Sequence, residues 1–250
     1  MADEVLTEVR GRILVITLNR PDAMNAIDTA LAEGLNAAIA QLDGDPVLTV
    51  GVLTGAGRGF CAGMDLKAFA TTGPPLGFDK FIRHGSVKPL IAAIEGFCLA
   101  GGLEVALTCD LLVAAENVKF GIPEAGVGLF AAGGALLRLP ARVGYGVAME
   151  MALTADPISA QQALATGLVS RLSPKGGALD AALELAERIA RNAPLSVAAS
   201  KKVLRDTKGL TDVAFWDMQA PVIREVFVSD DAKEGPRAFA EKRAPKWTGT

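Results

Sequence analysis

Residues 96–134 read GFCLAGGLEVALTCDLLVAAENVKFGIPEAGVGLFAAGG, and the rest of the chain is interpreted outward from this stretch. The pair Gly101–Gly102 opens a predicted helix that carries Glu104, and Glu124 follows further along. Apolar or small residues flank both glutamates. A carboxylate in such surroundings is costly to ionise unless it has a partner or a chemical task. The two glutamates are therefore either structural acids or an acid and a base acting on one substrate.

Composition limits the class of protein. Half of the 250 residues are hydrophobic, which is enough for one large core. The net charge is −3 and there is no long basic run, so we expect no nucleic-acid partner. The three cysteines, Cys61, Cys98 and Cys109, match no metal or disulfide spacing, which indicates thiols that act as small apolar residues in a reducing, cytoplasmic setting.

Residues 97–115 are apolar enough to resemble a membrane span. Glu104 and Asp110 lie inside this stretch, so we interpret it as a buried helix followed by a buried strand and expect no membrane partner. The first ten residues are acidic and lack an apolar run, so we predict no secretory signal.

Strands alternate with helices early in the sequence, and helices dominate late. This order favours an α/β core over residues 1–193 and a helical region over residues 194–250. Apolar β-branched runs predict strands over 12–18, 49–54, 89–95, 110–114 and 118–120. Helices are predicted after the caps Asp28, Asp65 and Ser159, the last with Gln162 in a capping box, and over 144–153, 178–192, 194–206 and 211–228. Residues 71–85 are predicted to form a loop, because prolines and glycines interrupt any period.

Two glycine-rich turns follow predicted strands. One is GAGRGFCAGMDL over residues 55–66, and the other is Gly101–Gly102 at a helix start. Such turns point backbone N–H groups outward, and a helix start adds the positive end of its dipole. They can stabilise a carbonyl oxygen that gains negative charge, or they can simply be tight turns.

Several motifs, taken together, resemble the enoyl-CoA hydratase/isomerase, or crotonase, superfamily. They are ITLNRPDAMNAID (16–28), GFCAGMDLK (59–67), KPLIAAIEGFCLAGGLEVALTCD (88–110), FGIPEAGVGL (120–129), MALTADPISAQQALATGLVSRL (151–172) and EGPRAFAEKR (234–243). The resemblance implies an α/β fold: a crotonase-like spiral of ββα turns with a C-terminal α-helical trimerisation region that can pair into hexamers. It also implies an acyl-CoA thioester substrate and no metal or redox cofactor.

The resemblance assigns roles to individual residues. Glu104 would activate water, Glu124 would give a proton to the α-carbon, and the backbone N–H groups of Met64 and Gly101 would form the oxyanion hole. The implied contacts to the substrate and its coenzyme A are Ala23, Met24, Ala62, Asp65, Leu66, Lys67, Phe239 and Lys242. Two glutamates favour a hydratase over an isomerase, which usually keeps only the second one. A catalytically idle acyl-CoA or RNA-binding scaffold is the remote alternative.

The sequence departs from the family pattern at one place. Hydratases often show Pro-Gly-Ala-Gly-Gly after the second glutamate, and here residues 131–135 read AAGGA, which leaves chain-length preference open. Outside the motifs, Arg138 is expected to tie the loop after Glu124 to its neighbours, and His84 to lie in a surface loop. Lys201 and Lys202 are expected to lie on a solvated helix face.

Overall fold

The computed structural model describes residues 4–250. Its strands are Val5–Arg10 (β1), Ile13–Leu18 (β2), Val50–Gly55 (β3), Leu90–Ile94 (β4), Phe97–Leu99 (β5), Leu111–Ala115 (β6), Lys119–Gly121 (β7), Ile158–Ser159 (β8) and Arg171–Ser173 (β9). Its α-helices are Thr29–Gly44 (α1), Leu66–Thr72 (α2), Phe78–His84 (α3), Gly101–Thr108 (α4), Ala135–Val143 (α5), Tyr145–Thr154 (α6), Ala160–Ala165 (α7), Ala178–Ala190 (α8), Pro194–Asp206 (α9), Asp212–Phe227 (α10) and Asp230–Ala240 (α11). Single 3-10 turns form at Pro21–Ala23 and Pro123–Val127.

The strands form two sheets. A six-stranded sheet has the order β1-β2-β3-β4-β6-β9, antiparallel at β1 and parallel beyond it, and a three-stranded sheet has the order β5-β7-β8. From β4 to β7, consecutive strands alternate between the two sheets, so that β4 and β6 belong to the large sheet and β5 and β7 to the small one. This is the spiral of ββα turns that the family resemblance implied. Strands β3 and β4 are almost wholly buried, as parallel strands covered on both faces are.

Two predicted helix starts are confirmed by their caps. The Asp28 carboxylate accepts from the backbone N–H of Leu31 at 2.9 Å and begins α1. Ser159 and Gln162 form the full capping box at the start of α7. The cysteines are free and buried, which confirms the interpretation of these thiols as small apolar residues. Among residues 4–250, no helix is both long enough and apolar enough to span a membrane.

The loop predicted over residues 71–85 is wrong. Helix α2 runs on to Thr72, and α3 forms after Gly77, which adopts φ 77° as its cap. Phe81 and Ile82 are buried in the main core, and this burial stabilises a helix too short to be stable on its propensity alone. His84 is therefore helical rather than in a loop, although it is exposed.

The predicted solvated position of Lys201 is also wrong. Its ammonium lies 2.7 Å from Asp110 and donates to the Lys88 carbonyl at 2.8 Å, and its side chain is only 11% exposed. Asp110 also accepts from the backbone N–H of Leu90, the first residue of β4. Helix α9 is thus fastened to the sheet by a shielded ion pair, so the region that follows residue 193 is joined to the core by a specific contact.

The C-terminal helices leave several apolar side chains in water. Leu204, Val213, Trp216 and Phe227 are each at least 63% exposed. Large apolar side chains exposed in this number on neighbouring helices favour self-association. We therefore expect light scattering to report a trimer or hexamer at micromolar concentration. Val213→Asp is expected to weaken the assembly, whereas Val47→Asp, a control at an exposed valine before β3, should leave it intact; a stable wild-type monomer would contradict the prediction.

Candidate active site

The small sheet brings the two glutamates together. Strands β5 and β7 are parallel with Leu99 opposite Gly121, and the backbone N–H of Ala100 donates to the Gly121 carbonyl at 2.9 Å. Helix α4, which carries Glu104, leaves the end of β5, and the turn that carries Glu124 leaves the end of β7. Ligand sites form where parallel strands end side by side, so residues twenty apart in sequence share one site here.

A second segment approaches the start of α4. Residue 64 pairs with Ile27 in a parallel bridge, in which the Ile27 N–H donates to the Gly63 carbonyl at 2.8 Å and the Asp65 N–H donates to the Ile27 carbonyl at 2.9 Å. These bonds hold the chain on both sides of Met64 and leave its own N–H unused. In the part of the chain that the structure describes, neither the Met64 N–H nor the Gly101 N–H donates a hydrogen bond.

The two unused donors are neighbours. A methyl group added to the Cα of Gly101 would lie 3.4 Å from the Met64 nitrogen. Gly101 is the first residue of α4, so its N–H also carries the positive end of the helix dipole. Two adjacent free N–H groups in a partly buried setting can stabilise an oxygen that becomes negative during a reaction.

The residue before this helix is strained. Ala100 has φ 49° and ψ −129°, a conformation that favours glycine, because a Cβ crowds its own backbone there. A strained backbone conformation persists only where the surrounding contacts hold the residue in it, and such residues are often found at functional sites. The Ala100 N–H bond to Gly121 is one of the contacts that hold it.

Removing this strain is expected to stabilise the fold. Ala100→Gly should raise the free energy of unfolding by about 1 kcal/mol, since relieved strain of about 1–3 kcal/mol exceeds the added unfolded-state entropy. Ala155→Gly, at φ 63° after α6 and away from this segment, is the matched comparison and should gain less. Thermal unfolding of the three proteins checks this; no gain for Ala100→Gly would contradict the strain argument.

Glu104 is a buried carboxylate held by the start of another helix. It is 4% exposed, and its Oε1 accepts from the backbone N–H of Ala135, the first residue of α5, at 3.2 Å. The pKa of Glu104 is raised to about 7, mainly by burial and also by the nearby charge of Glu124, while the Ala135 and Gly133 N–H groups and the Arg138 charge oppose the rise. A carboxylate with this pKa can accept a proton near neutral pH.

This pKa predicts a dependence of stability on pH. Between pH 4.5 and about 7, the folded protein holds a proton on Glu104 that the unfolded chain has lost, so the stability falls as pH rises through this window. Glu104→Gln lacks this dependence and is expected to be more stable than the wild type above pH 7 by up to about 3 kcal/mol. Thermal midpoints of both proteins across the range check it; a constant difference between them would count against a raised pKa.

Glu124 lies in the 3-10 turn after β7. Burial raises its pKa, and its Oε2 atom is buried without a hydrogen-bond partner among residues 4–250. A buried polar atom without a partner is rare in folded proteins and calls for an explanation. A substrate atom that exchanges a proton with this oxygen would supply one.

The sequence-predicted substrate contacts fall into two groups. Ala23 ends the first 3-10 turn, Met24 follows at φ 55°, and the Met24 carbonyl accepts from the Ala62 N–H at 3.1 Å. Asp65 caps α2, with Leu66 and Lys67 exposed in its first turn. The structure therefore brings Ala23, Met24, Ala62 and residues 65–67 together around Met64.

Phe239 and Lys242 form the other group, at the end of α11. Phe239 is 87% exposed, and Lys242 has φ 53° after the helix. Within residues 4–250, no hydrogen bond or ion pair joins either residue to the group around Met64. Their contact with the substrate stays a prediction.

Two residues that hold this site were not predicted. The buried Asn25 side chain donates to the carbonyls of Ala56, Gly59 and Phe60, so it fastens the glycine-rich turn to the segment that carries Met24. Arg20 lies within 3.2 Å of the carboxylates of both helix caps, Asp28 and Asp65. Their presence in the motif NRPDAMN was the only available signal, and a polar residue in a turn is more often solvated than buried.

The two-sheet spiral with this site defines a protein of the crotonase fold. The chain belongs to the enoyl-CoA hydratase/isomerase family, whose model matches residues 8–250. A solved enoyl-CoA hydratase structure from Mycobacterium tuberculosis H37Rv is 52% identical, with a TM-score of 0.94 over 99% of this chain and 100% of that one. The M. tuberculosis enoyl-CoA hydratase EchA19 is 43% identical over 98% of this chain and 96% of its own length. A carnitinyl-CoA dehydratase of Proteus mirabilis is 40% identical over the full length of both.

Proposed function

We propose that this protein is an enoyl-CoA hydratase, which adds water to a trans-2-enoyl-CoA and yields a 3-hydroxyacyl-CoA. The observation that carries the proposal is the pair of carboxylates with raised pKa values, Glu104 buried and Glu124 half-buried, beside two unused backbone N–H groups. The names of the relatives support it, since two are hydratases and one is a dehydratase. Dehydration is the same reaction in reverse and needs the same groups.

The mechanism assigns one step to each group. The N–H groups of Met64 and Gly101 receive the thioester oxygen, which gains negative charge as water adds to the conjugated system. Glu104, as the carboxylate, takes a proton from water while the oxygen of that water bonds to the β-carbon. Glu124, as the acid, gives a proton to the α-carbon, and the double bond becomes single. The two carboxyl groups then exchange a proton with solvent and regain their starting forms.

The implied partners follow from this chemistry. The substrate is an acyl-CoA thioester, and the two carboxylates and two amides supply all the groups that the addition of water requires, so we propose no metal or redox cofactor. Met24, Ala62 and the start of α2 would border the coenzyme A path, because they surround the proposed oxyanion hole. Phe239 and Lys242 would complete it, and we expect the reaction in the cytoplasm.

A panel of thioesters tests the proposal. We expect purified protein to remove the absorbance of conjugated 2-enoyl-CoA substrates of rising chain length, with crotonobetainyl-CoA included because of the dehydratase relative. Formation of that absorbance from a 3-enoyl-CoA, without hydration, would replace the proposal with an isomerase. Binding of acyl-CoA without turnover of any substrate would replace it with an idle scaffold.

A further inference from the structure

Arg138 is a half-buried cation close to the proposed base. It is the fourth residue of α5, about one turn after Ala135, whose N–H donates to Glu104. Its guanidinium donates to the carbonyl of Ile82 in α3 and lies against the backbone of Gly134. Burial lowers the pKa of Arg138, and the negative charge of Glu104 opposes that shift. A guanidinium stays charged at any working pH, so a positive charge is fixed near Glu104.

The charges that act on the Glu104 carboxylate come from two elements. Glu124, from the turn after β7, disfavours its ionisation, and Arg138, from α5, favours it. The Gly133 backbone lies directly against the carboxylate, where a side chain at position 133 would collide with it. The N–H groups of this loop and the dipole of α5 add to the effect of Arg138.

The cation acts at a distance rather than through a direct ion pair. No salt bridge between Arg138 and Glu104 is present in the described chain, and the guanidinium donates instead to the Ile82 carbonyl. A bidentate pair would occupy both carboxylate oxygens and make the carboxylate a much weaker base. A separated cation favours the ionised form and still leaves one oxygen free for water.

We propose that Arg138 is a positioning residue for this reaction, which favours the ionised form of the Glu104 carboxylate while its own bond to the Ile82 carbonyl keeps the guanidinium out of a direct pair. The inference rests on the proposed hydration, in which Glu104 accepts a proton from water. It assigns to Arg138 a function beyond tying the loop after Glu124 to its neighbours.

The first test is the pH profile of hydration. Arg138→Met is expected to move the acidic limb of kcat/KM upward by about one pH unit, since an opposite charge nearby shifts a carboxyl pKa by about 1 to 3 units. Relative to the wild type, the variant should therefore lose about tenfold at pH near 6 and progressively less as the pH rises above the shifted limb, which a purely structural loss would not do. Arg138→Lys keeps the charge and should keep the limb near its wild-type position.

Arg205→Met is the matched control. Arg205 donates to the His84 carbonyl of the same helix α3, but it is exposed and does not act on Glu104. It should leave the limb in place. An unmoved limb in Arg138→Met, or an equal shift in Arg205→Met, would overturn the inference. If Arg138→Met does not fold, Arg138→Gln removes the same charge and is read in the same way.

A second test needs no substrate. The difference in thermal midpoint between Arg138→Met and the double variant Arg138→Met/Glu104→Gln reports the titration of Glu104 in the resting protein. We expect this difference to begin at the same pH as the corresponding difference between the wild type and Glu104→Gln, but to keep growing to higher pH and to reach a larger final value. Coincident curves would refute the role of Arg138 even if hydration is confirmed. A shifted curve in a protein that hydrates no substrate would support the role and refute the proposed function.

Discussion

Replacing either Glu104 or Glu124 with glutamine is expected to slow hydration by about 100- to 10,000-fold, the usual contribution of a positioned general acid or base. Glutamine keeps the shape of the side chain, and its amide oxygen can still accept from the Ala135 N–H that holds Glu104. It cannot exchange a proton at neutral pH. The loss should therefore appear mainly in kcat, measured as the rate at which enoyl-CoA absorbance disappears.

The two variants should differ in a second assay. Exchange of the α-protons of a saturated acyl-CoA with deuterated water needs a base at the α-carbon but no activated water. This exchange should largely survive Glu104→Gln and should be lost with Glu124→Gln. Glu187→Gln, at an exposed position on α8, is the control for the substitution itself.

The outcomes separate the alternatives. Near-normal hydration by Glu124→Gln would refute the proposed mechanism. The reverse exchange pattern would keep the reaction and swap the roles of the two carboxylates. A hydratase with one dispensable glutamate would show no loss in one of the two variants.

Gly101→Pro is expected to lower turnover by about 100- to 1,000-fold, because proline removes the N–H that we assign to the thioester oxygen. The position suits the test, since Gly101 is the first residue of α4, where proline is readily accepted and no intrahelical hydrogen bond is lost. The strained Ala100 precedes it, so circular dichroism must show that the variant is folded.

Gly101→Ala separates the donor from the added volume. The alanine methyl would meet Ile27 and Met64 at 3.4 Å, an ordinary van der Waals contact, and the N–H would remain. The further loss from alanine to proline therefore reports the change at the nitrogen itself, where the donor is lost and a ring carbon takes the place of the hydrogen. If the folded proline variant is as active as the alanine variant, Gly101 is a turn residue and no more.

Local signals in the sequence were sufficient for the strands of the large sheet and for the capped helices. The run LIAAI over 90–94 is short, apolar and flanked by Pro89 and Gly96, which favours a buried strand, and the side chains of Asp28 and Ser159 cap the helices that follow them. The edge strand β1 was missed, because most of its side chains are exposed and it depends on pairing with β2. Helix α5 was missed as well, since Pro140 interrupts its pattern and its apolar face needs the core to define it.

The residues of the candidate site also differ in whether the sequence could predict their role. The glutamates and glycines were candidates because of their residue types and apolar surroundings, and the family resemblance then assigned their roles. The groups that support them were not, because Asn25 and Ala135 act on partners more than thirty residues away in sequence. Lys201 was predicted to lie on a solvated helix face, and this was wrong for the same reason, since its partner Asp110 is distant in sequence and comes close only after folding. A single sequence does not reveal which distant polar groups will meet.

Helix α4 carries both the Gly101 N–H and Glu104, three positions apart on one short rigid element. The rise between them is about 4.5 Å, at about 1.5 Å for each residue. On the proposed roles, this interval fixes how far from the carbonyl the water adds, whatever the length of the acyl chain. The geometry of α4 then determines which carbon of the acyl chain is hydrated, whereas selection among chain lengths depends on residues outside α4. Variation outside α4 could therefore change the acyl groups that are accepted while the site of hydration stays at the β-carbon.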